Sequence, residues 1–214
     1  RQRALFGSFA TGDVDRSLTN GVYSAIAALV FRLTEPTLAI GRSLSVAAIA
    51  VAVLLLAVGL AEPLGRATAL LSAAALAGAN LALEYGRLGM VEPTVVAFLT
   101  GGFVAAVRAL RRGSPLAGAG CGLLLAGAVS AKAIAVVPAV AILGVLLGSG
   151  LWRRDRRAVL AGLAALGAAA AAAVGWFLLV ALPNLERLRI VLRIWPAVTY
   201  PHTPAGVLDR LGEY

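Results

Sequence analysis

A short polar segment between two apolar runs carries the residues best suited to chemistry. It contains Tyr85, Arg87, Glu92 and Pro93. The Glu92 carboxylate could orient a substrate hydroxyl or a metal ion, and Arg87 could pair with that carboxylate or with a phosphate. The alternative is structural, because a glutamate before Pro93 suits the first turn of a helix and Arg87 could anchor the loop at a membrane surface. The spacing alone leaves both interpretations open.

Two further cations could hold an anion. Lys132 is the only charged residue in the 37 residues from Pro115 to Leu151. A charge inside an apolar run is costly and often functional, so Lys132 is a candidate for binding the phosphate of a lipid. Arg42 precedes an apolar run and could contact the same phosphate. In the alternative interpretation, both side chains simply extend to the membrane interface.

The remaining candidates are weaker. Asp13 and Asp15 form a short D-x-D pattern, which a solvated turn also explains, and His202 lies in a proline-rich segment where a structural role is the simpler reading. One cysteine and one histidine exclude a cysteine-based or multi-histidine metal centre. A divalent cation could bind where carboxylates converge, but no spacing requires a metal, and no other cofactor is indicated.

The elements that position these residues are membrane helices. Of the 214 residues, 60 % are hydrophobic and 14 % are charged, whereas soluble domains have about 45–50 % and about 25 %. This excess excludes a soluble domain and a disordered chain. The net charge is +9, but no basic patch interleaved with aromatic residues is present, which argues against nucleic acid as a partner. Membrane lipids are the expected surroundings.

Six apolar runs approach the ~20 residues that a membrane span needs. The fourth and fifth are separated only by Lys132, and one helix through both would be ~55 Å long, too long for a ~30 Å hydrocarbon core. We therefore predict a tight reversal near Ser130–Lys132. The many glycines and alanines favour close helix packing. The sequence predicts an all-α integral membrane bundle with spans 43–61, 67–83, 94–110, 115–131, 133–151 and 158–182.

The arginines indicate which side of the membrane each loop faces. The loops 62–66, 111–114 and 152–157, with Arg108, hold eight of them, whereas the short loops opposite hold only Arg87 and Lys132. The positive-inside rule makes the first set cytoplasmic, which places most acids outside. Residues 1–42 are then an outer-face loop with an interfacial helix over Gly21–Leu33, and residues 183–214 begin an outer-face segment.

Four segments, in this order, resemble the GT-C class of polyprenyl-phosphate-sugar-dependent glycosyltransferases. The resemblance is strongest to bacterial relatives of the protein O-mannosyltransferases and of the aminoarabinose transferase acting on lipid A, and it covers most of residues 3–147. The matching segments are Arg3–Ser8 with Asp13, Asn20–Phe31 with Ala39–Ser45, Tyr85–Pro93, and Gly118–Leu125 with Ala128–Lys132 and Pro138.

The resemblance implies roles for individual residues. It assigns catalytic roles to Glu92 and Asp13, and substrate contacts to Arg87, Lys132, Arg42 and Tyr85. Lys132 would contact the donor phosphate. Two departures are that Ser130-Ala131-Lys132 replaces a more usual Thr-Lys and that Glu92 replaces a more common aspartate. The family's first-loop acid would fall before Arg1, so we expect this chain to be a fragment without it.

The implied reaction is inverting transfer of a sugar from a polyprenyl-phosphate donor to a lipid, glycan or protein acceptor. It would occur at the extracytoplasmic face of a bacterial or archaeal plasma membrane. A transporter or lipid flippase would also explain the glycine-rich spans, Pro138 and Lys132, although the six spans show no inverted repeat. A non-catalytic membrane scaffold is the third interpretation, and it gives Glu92 and Lys132 no role beyond stability.

Overall fold

The computed structural model describes residues 21–34, 37–79, 91–186 and 189. The candidates Asp13, Tyr85, Arg87 and His202 lie outside these residues. Within the described part every regular element is a helix and no strand occurs, which confirms the predicted all-α class. The helices are α1 Gly21–Leu33, α2 Leu38–Gly59, α3 Ala61–Leu64, α4 Arg66–Gly78, α5 Glu92–Arg112, α6 Pro115–Ala131, α7 Val136–Trp152 and α8 Arg156–Trp176.

Short irregular helices extend two of these elements. A 3₁₀ turn over Ala133–Ala135 leads into α7. A π-helical segment over Phe177–Ala181 and a 3₁₀ turn over Leu182–Asn184 continue α8. π-Helical turns are rare and often occur at functional sites.

Small polar residues define where the long helices begin. The Ile40 N–H donates to Thr37 Oγ1 at 3.3 Å and starts α2. The Ala117 N–H donates to Ser114 Oγ at 3.3 Å, and α6 begins at the proline that follows this serine. These contacts satisfy N–H groups that have no partner inside the helix. Because Thr37 caps α2, this helix begins five residues before the predicted span at 43, and Arg42 lies inside it.

Four described helices are long and apolar enough to cross a membrane: Leu38–Gly59, Glu92–Arg112, Ala133–Trp152 and Arg156–Asn184. Two predicted spans correspond to shorter apolar helices, the 13-residue α4 and the 17-residue α6. The predicted run 67–83 extends beyond α4 into residues that the structure does not describe. Helix α1 has the bounds predicted for an interfacial helix, while its place at the membrane surface stays a prediction.

Helix directions follow from the contacts between neighbours. A Cβ atom built on Gly59 would lie against Val104, and one on Gly101 would lie 3.6 Å from Leu55. The order of these contacts shows that α2 and α5 run parallel. On the other side of α5, Glu92 at its start pairs with Lys132 just after α6, so α5 and α6 are antiparallel.

Helices α6 and α8 make the closest backbone approach in the described bundle. A Cβ atom built on Gly118 or Gly122 would lie 2.0 Å from the carbonyl oxygen of Ala161 or Ala165, respectively. Only glycine permits this approach, and the four-residue spacing on both helices is the small-residue packing found in membranes. The parallel α6–α8 pair forms the central wall, with Cys121 and Leu125 buried beside it.

The two ends of the bundle carry different charges. At one end α5 stops at Gly113, whose added Cβ would lie 2.5 Å from the Cβ of Arg157 near the start of α8. The exposed Arg112 pairs with Glu62 at the same end. This end therefore holds the arginines of the loops 62–66, 111–114 and 152–157. The opposite end holds Glu92 and Lys132.

Candidate functional site

Glu92 and Lys132 form an ion pair at the end of the bundle that has few arginines. The Lys132 Nζ donates a hydrogen bond to Glu92 Oε1. The two residues are forty positions apart in the sequence, and the antiparallel packing of α5 against α6 brings them together. Two residues that the sequence analysis selected separately thus form one site. The sequence did not predict that they would pair.

The start of α5 positions the carboxylate. Glu92 is the first residue of this helix and Pro93 follows it, with no side-chain cap before them. Backbone N–H groups of the first turn point past the helix end, and a carboxylate here is favoured by the helix dipole. The structural explanation of Glu92 therefore holds as well. It does not account for Lys132, which completes the pair from the break that follows α6.

A break in the helix positions the lysine. Helix α6 ends at Ala131, and Lys132 is extended, with φ −157° and ψ 123°. Its N–H donates to Ala128 O at 3.0 Å, and its carbonyl accepts from Ala135 N at 3.0 Å. The predicted reversal near Ser130–Lys132 is thus observed. Both the N–H and the carbonyl of Lys132 are hydrogen-bonded, so its backbone has a fixed conformation. This conformation fixes the point from which the side chain reaches Glu92.

Tyr23 is a third member of the site that the sequence analysis did not select. It lies in the first turn of α1 and is half-buried. Burial raises the pKa of its phenol, and the negative charge of Glu92 raises it further. The phenol therefore stays protonated and can donate a hydrogen bond well into the alkaline range. The resemblance already included Tyr23, but no sequence spacing connects it with Glu92.

The beginning of α1 lies against the ends of α6 and α8. A Cβ atom built on Gly21 would lie 3.4 Å from Ser130 Oγ and 3.7 Å from Trp176 Nε1. The π-helical segment starts directly after Trp176. The start of α1 therefore lies beside the ends of α6 and α8, at the end of the bundle that holds the ion pair.

The ion pair is partly accessible. The side chains of Lys132 and Glu92 are 40 % and 27 % exposed. A ligand can therefore reach both charges, yet protein surrounds each of them enough to weaken solvent screening. An anion can bind Lys132 here, and a hydroxyl can donate to Glu92, once the two side chains separate.

Arg42 does not join the ion pair. It is exposed in α2, and the parallel direction of α2 and α5 puts it at the same end as Glu92. It forms no salt bridge with any carboxylate in the described residues. The candidates Asp13, Arg87 and Tyr85 lie outside the described residues. In the same described ranges, no group of three or more His, Cys, Asp or Glu side chains could hold a metal ion.

Comparison with known proteins supports the resemblance seen in the sequence. Residues 21–177 match the family model described as dolichyl-phosphate-mannose-protein mannosyltransferase. The match includes both residues of the ion pair and the whole of helices α1, α5, α6 and α8. No curated protein and no solved structure shows significant similarity to the chain.

Proposed function

Because the chain belongs to the dolichyl-phosphate-mannose-protein mannosyltransferase family, a GT-C type of membrane glycosyltransferase, we propose that it transfers a sugar from a polyprenyl-phosphate donor. The acceptor is a hydroxyl of a lipid, glycan or protein. The observation that carries this proposal is the accessible ion pair between Glu92 and Lys132. It supplies a cation for a phosphate and a carboxylate for a hydroxyl at one place.

In the proposed reaction the acceptor oxygen attacks the anomeric carbon of the sugar. The bond between this carbon and the phosphate oxygen breaks, and its electron pair stays on the departing phosphate. Lys132 stabilises the negative charge that develops there. The hydroxyl proton passes to a carboxylate, and Glu92 is the described carboxylate that contacts Lys132. Glu92 therefore orients the acceptor or assists the base.

The distribution of charge supports an extracytoplasmic site. Arginines concentrate at the opposite end of the bundle, where Glu62 pairs with Arg112. Cytoplasmic loops typically carry this excess of positive residues. If that end faces the cytoplasm, the Glu92–Lys132 pair faces outward in a bacterial or archaeal plasma membrane.

The ion pair also suggests an order of binding. While Lys132 is paired with Glu92, it neutralises the carboxylate and is itself less available to an anion. We propose that the donor phosphate takes Lys132 from Glu92 and thereby frees the carboxylate for the acceptor. The carboxylate is then free to bind the acceptor only when a donor is present.

Lys132 variants test the proposed donor contact. Binding of a polyprenyl-phosphate-sugar to the purified protein should weaken about tenfold or more in Lys132→Ala, because a charge-assisted hydrogen bond is lost. Lys132→Arg keeps the charge and should bind much better than the alanine variant. Equal donor binding by the wild type and both variants would contradict the phosphate role.

A transfer assay separates the proposed enzyme from the other classes. Glu92→Gln should abolish sugar transfer without reducing expression or folding. A transporter would instead depend on polar residues that line a pathway through both halves of the bundle. A scaffold would tolerate both Glu92→Gln and Lys132→Ala apart from any change in stability.

A further inference from the structure

The arginine-rich end of the bundle has few carboxylates to balance its charge. Eight arginines lie there, and the described acids at this end are Glu62 and Asp155. Asp155 is already used, because its Oδ1 accepts from the N–H groups of Arg157 at 2.9 Å and Ala158 at 3.4 Å. Asp155 therefore caps α8, whereas Glu62 is the described carboxylate that forms a salt bridge with an arginine of α5.

Glu62 pairs with Arg112 across the arginine-rich end of the bundle. Both of its oxygens accept from Arg112 Nη2, at 2.7 and 2.5 Å. The hydrogen bond and the charge of Arg112 lower the pKa of Glu62, and the charge of Arg108 lowers it further. The Glu62 and Arg112 side chains are 64 % and 61 % exposed. Exposed ion pairs contribute little stability, so a competing anion can displace Glu62.

Arg108 is only partly exposed, unlike Arg112. Its Nε is buried and has no hydrogen-bond partner among the described residues. Arg108 and Arg112 are four residues apart on α5 and therefore share one face of the helix. A phosphate in front of this face would meet the terminal Nη groups of two guanidiniums, which bind phosphate oxygens through several donors at once. The buried Nε of Arg108 is not among the donors that it would reach.

We propose that Arg108 and Arg112 bind the phosphate of an anionic phospholipid headgroup, and that Glu62 occupies this site when the lipid is absent. The position favours a lipid over a soluble anion, because Arg108 lies one turn inside a helix that is long enough to span the membrane. Basic sites at the ends of membrane helices are placed at the depth of headgroup phosphates. This proposal does not depend on the sugar-transfer function.

Lipid binding to the purified protein in nanodiscs tests the site. The probe is phosphatidylglycerol in a phosphatidylcholine background, and the readout is the thermal shift together with the lipid that co-purifies. Arg108→Gln and Arg112→Gln should each reduce preferential phosphatidylglycerol binding about tenfold, because each removes a charge-assisted contact. Glu62→Gln should raise it, by up to about fivefold, because the competing carboxylate is gone.

Arg66→Gln is the matched control. Arg66 is exposed at the same end and forms no salt bridge within the described residues, so its loss should change binding less than about twofold if the site is specific. Three results would overturn the proposal. The first is an equal loss of phosphatidylglycerol binding in the Arg66 and Arg108 variants. The second is weaker phosphatidylglycerol binding in Glu62→Gln. The third is a thermal shift with inorganic phosphate, at the same ionic strength, that equals the shift with the lipid.

Discussion

Replacing Glu92 with glutamine should have opposite effects on donor binding and on sugar transfer. The substitution keeps the shape of the side chain and removes its negative charge. Lys132 then loses its charged partner and becomes more available to the donor phosphate. We therefore expect Glu92→Gln to bind the polyprenyl-phosphate donor more tightly than the wild type while it fails to transfer the sugar.

The size of the effect follows from the exposure of the pair. Two unit charges about 4 Å apart attract by about 4 kcal/mol at an effective dielectric constant of about 20. Fully exposed pairs contribute only about 0–1 kcal/mol. With side chains 27 % and 40 % exposed, the Glu92–Lys132 attraction lies between these limits, at about 1–2 kcal/mol by the same reasoning. Its removal corresponds to about 5-fold to 30-fold tighter donor binding.

The assay is a titration of the purified protein with the donor lipid, in which binding is measured by calorimetry or native mass spectrometry. Glu186→Gln is the control, because it removes an exposed carboxylate that has no salt bridge to a described cation. The gain in Glu92→Gln should disappear in a Lys132→Ala background, as expected for residues that act through each other. Unchanged or weaker donor binding in Glu92→Gln would refute the competition between carboxylate and phosphate.

Two further predictions concern Tyr23 and the contact between α6 and α8. Burial and the charge of Glu92 raise the pKa of Tyr23 above 10.0, so the folded state disfavours the phenolate. The stability that the protonated phenol contributes is therefore complete below pH 10. It is lost as the pH rises through the raised pKa. Tyr23→Phe should remove this loss, and Glu92→Gln should lower the Tyr23 pKa only in part, as followed by ultraviolet difference spectra. Gly118→Ala should destabilise the protein by about 1–3 kcal/mol, because the new Cβ would lie 2.0 Å from Ala161 O. The control is Gly120→Ala on the same helix, whose new Cβ meets nothing within 4 Å. This variant should be neutral or stabilising in thermal unfolding.

Each of these predictions has a clear contrary result. An unchanged Tyr23 pKa in Glu92→Gln would show that the carboxylate does not act on the phenol. A Tyr23→Phe variant with the same alkaline loss of stability would assign that loss to another group. Equal unfolding temperatures for Gly118→Ala and Gly120→Ala would show that α6 and α8 separate easily.

The sequence alone determined the class of protein and most of the helices. Its apolar composition and regular apolar runs require membrane helices, since no single soluble core could bury so many hydrophobic residues. Local signals also determined several boundaries. Ser114 followed by proline begins α6 at the predicted residue, and the lone Lys132 marks the reversal, because a helix through it would exceed the membrane thickness. The order of short motifs also indicated the family.

Only the tertiary structure decided which of these residues act together. Separate features of the sequence selected Glu92 and Lys132, but none paired them, because the packing of α5 against α6 determines that contact over forty positions. Tyr23 was missed for the same reason, since α1 reaches Glu92 through its contacts with other helices. The unused Nε of Arg108 also becomes evident only after folding, because burial is a property of the packed bundle. The spacing of apolar residues along a helix indicates which of its faces avoid water. The partners of a side chain depend instead on how the helices pack against each other.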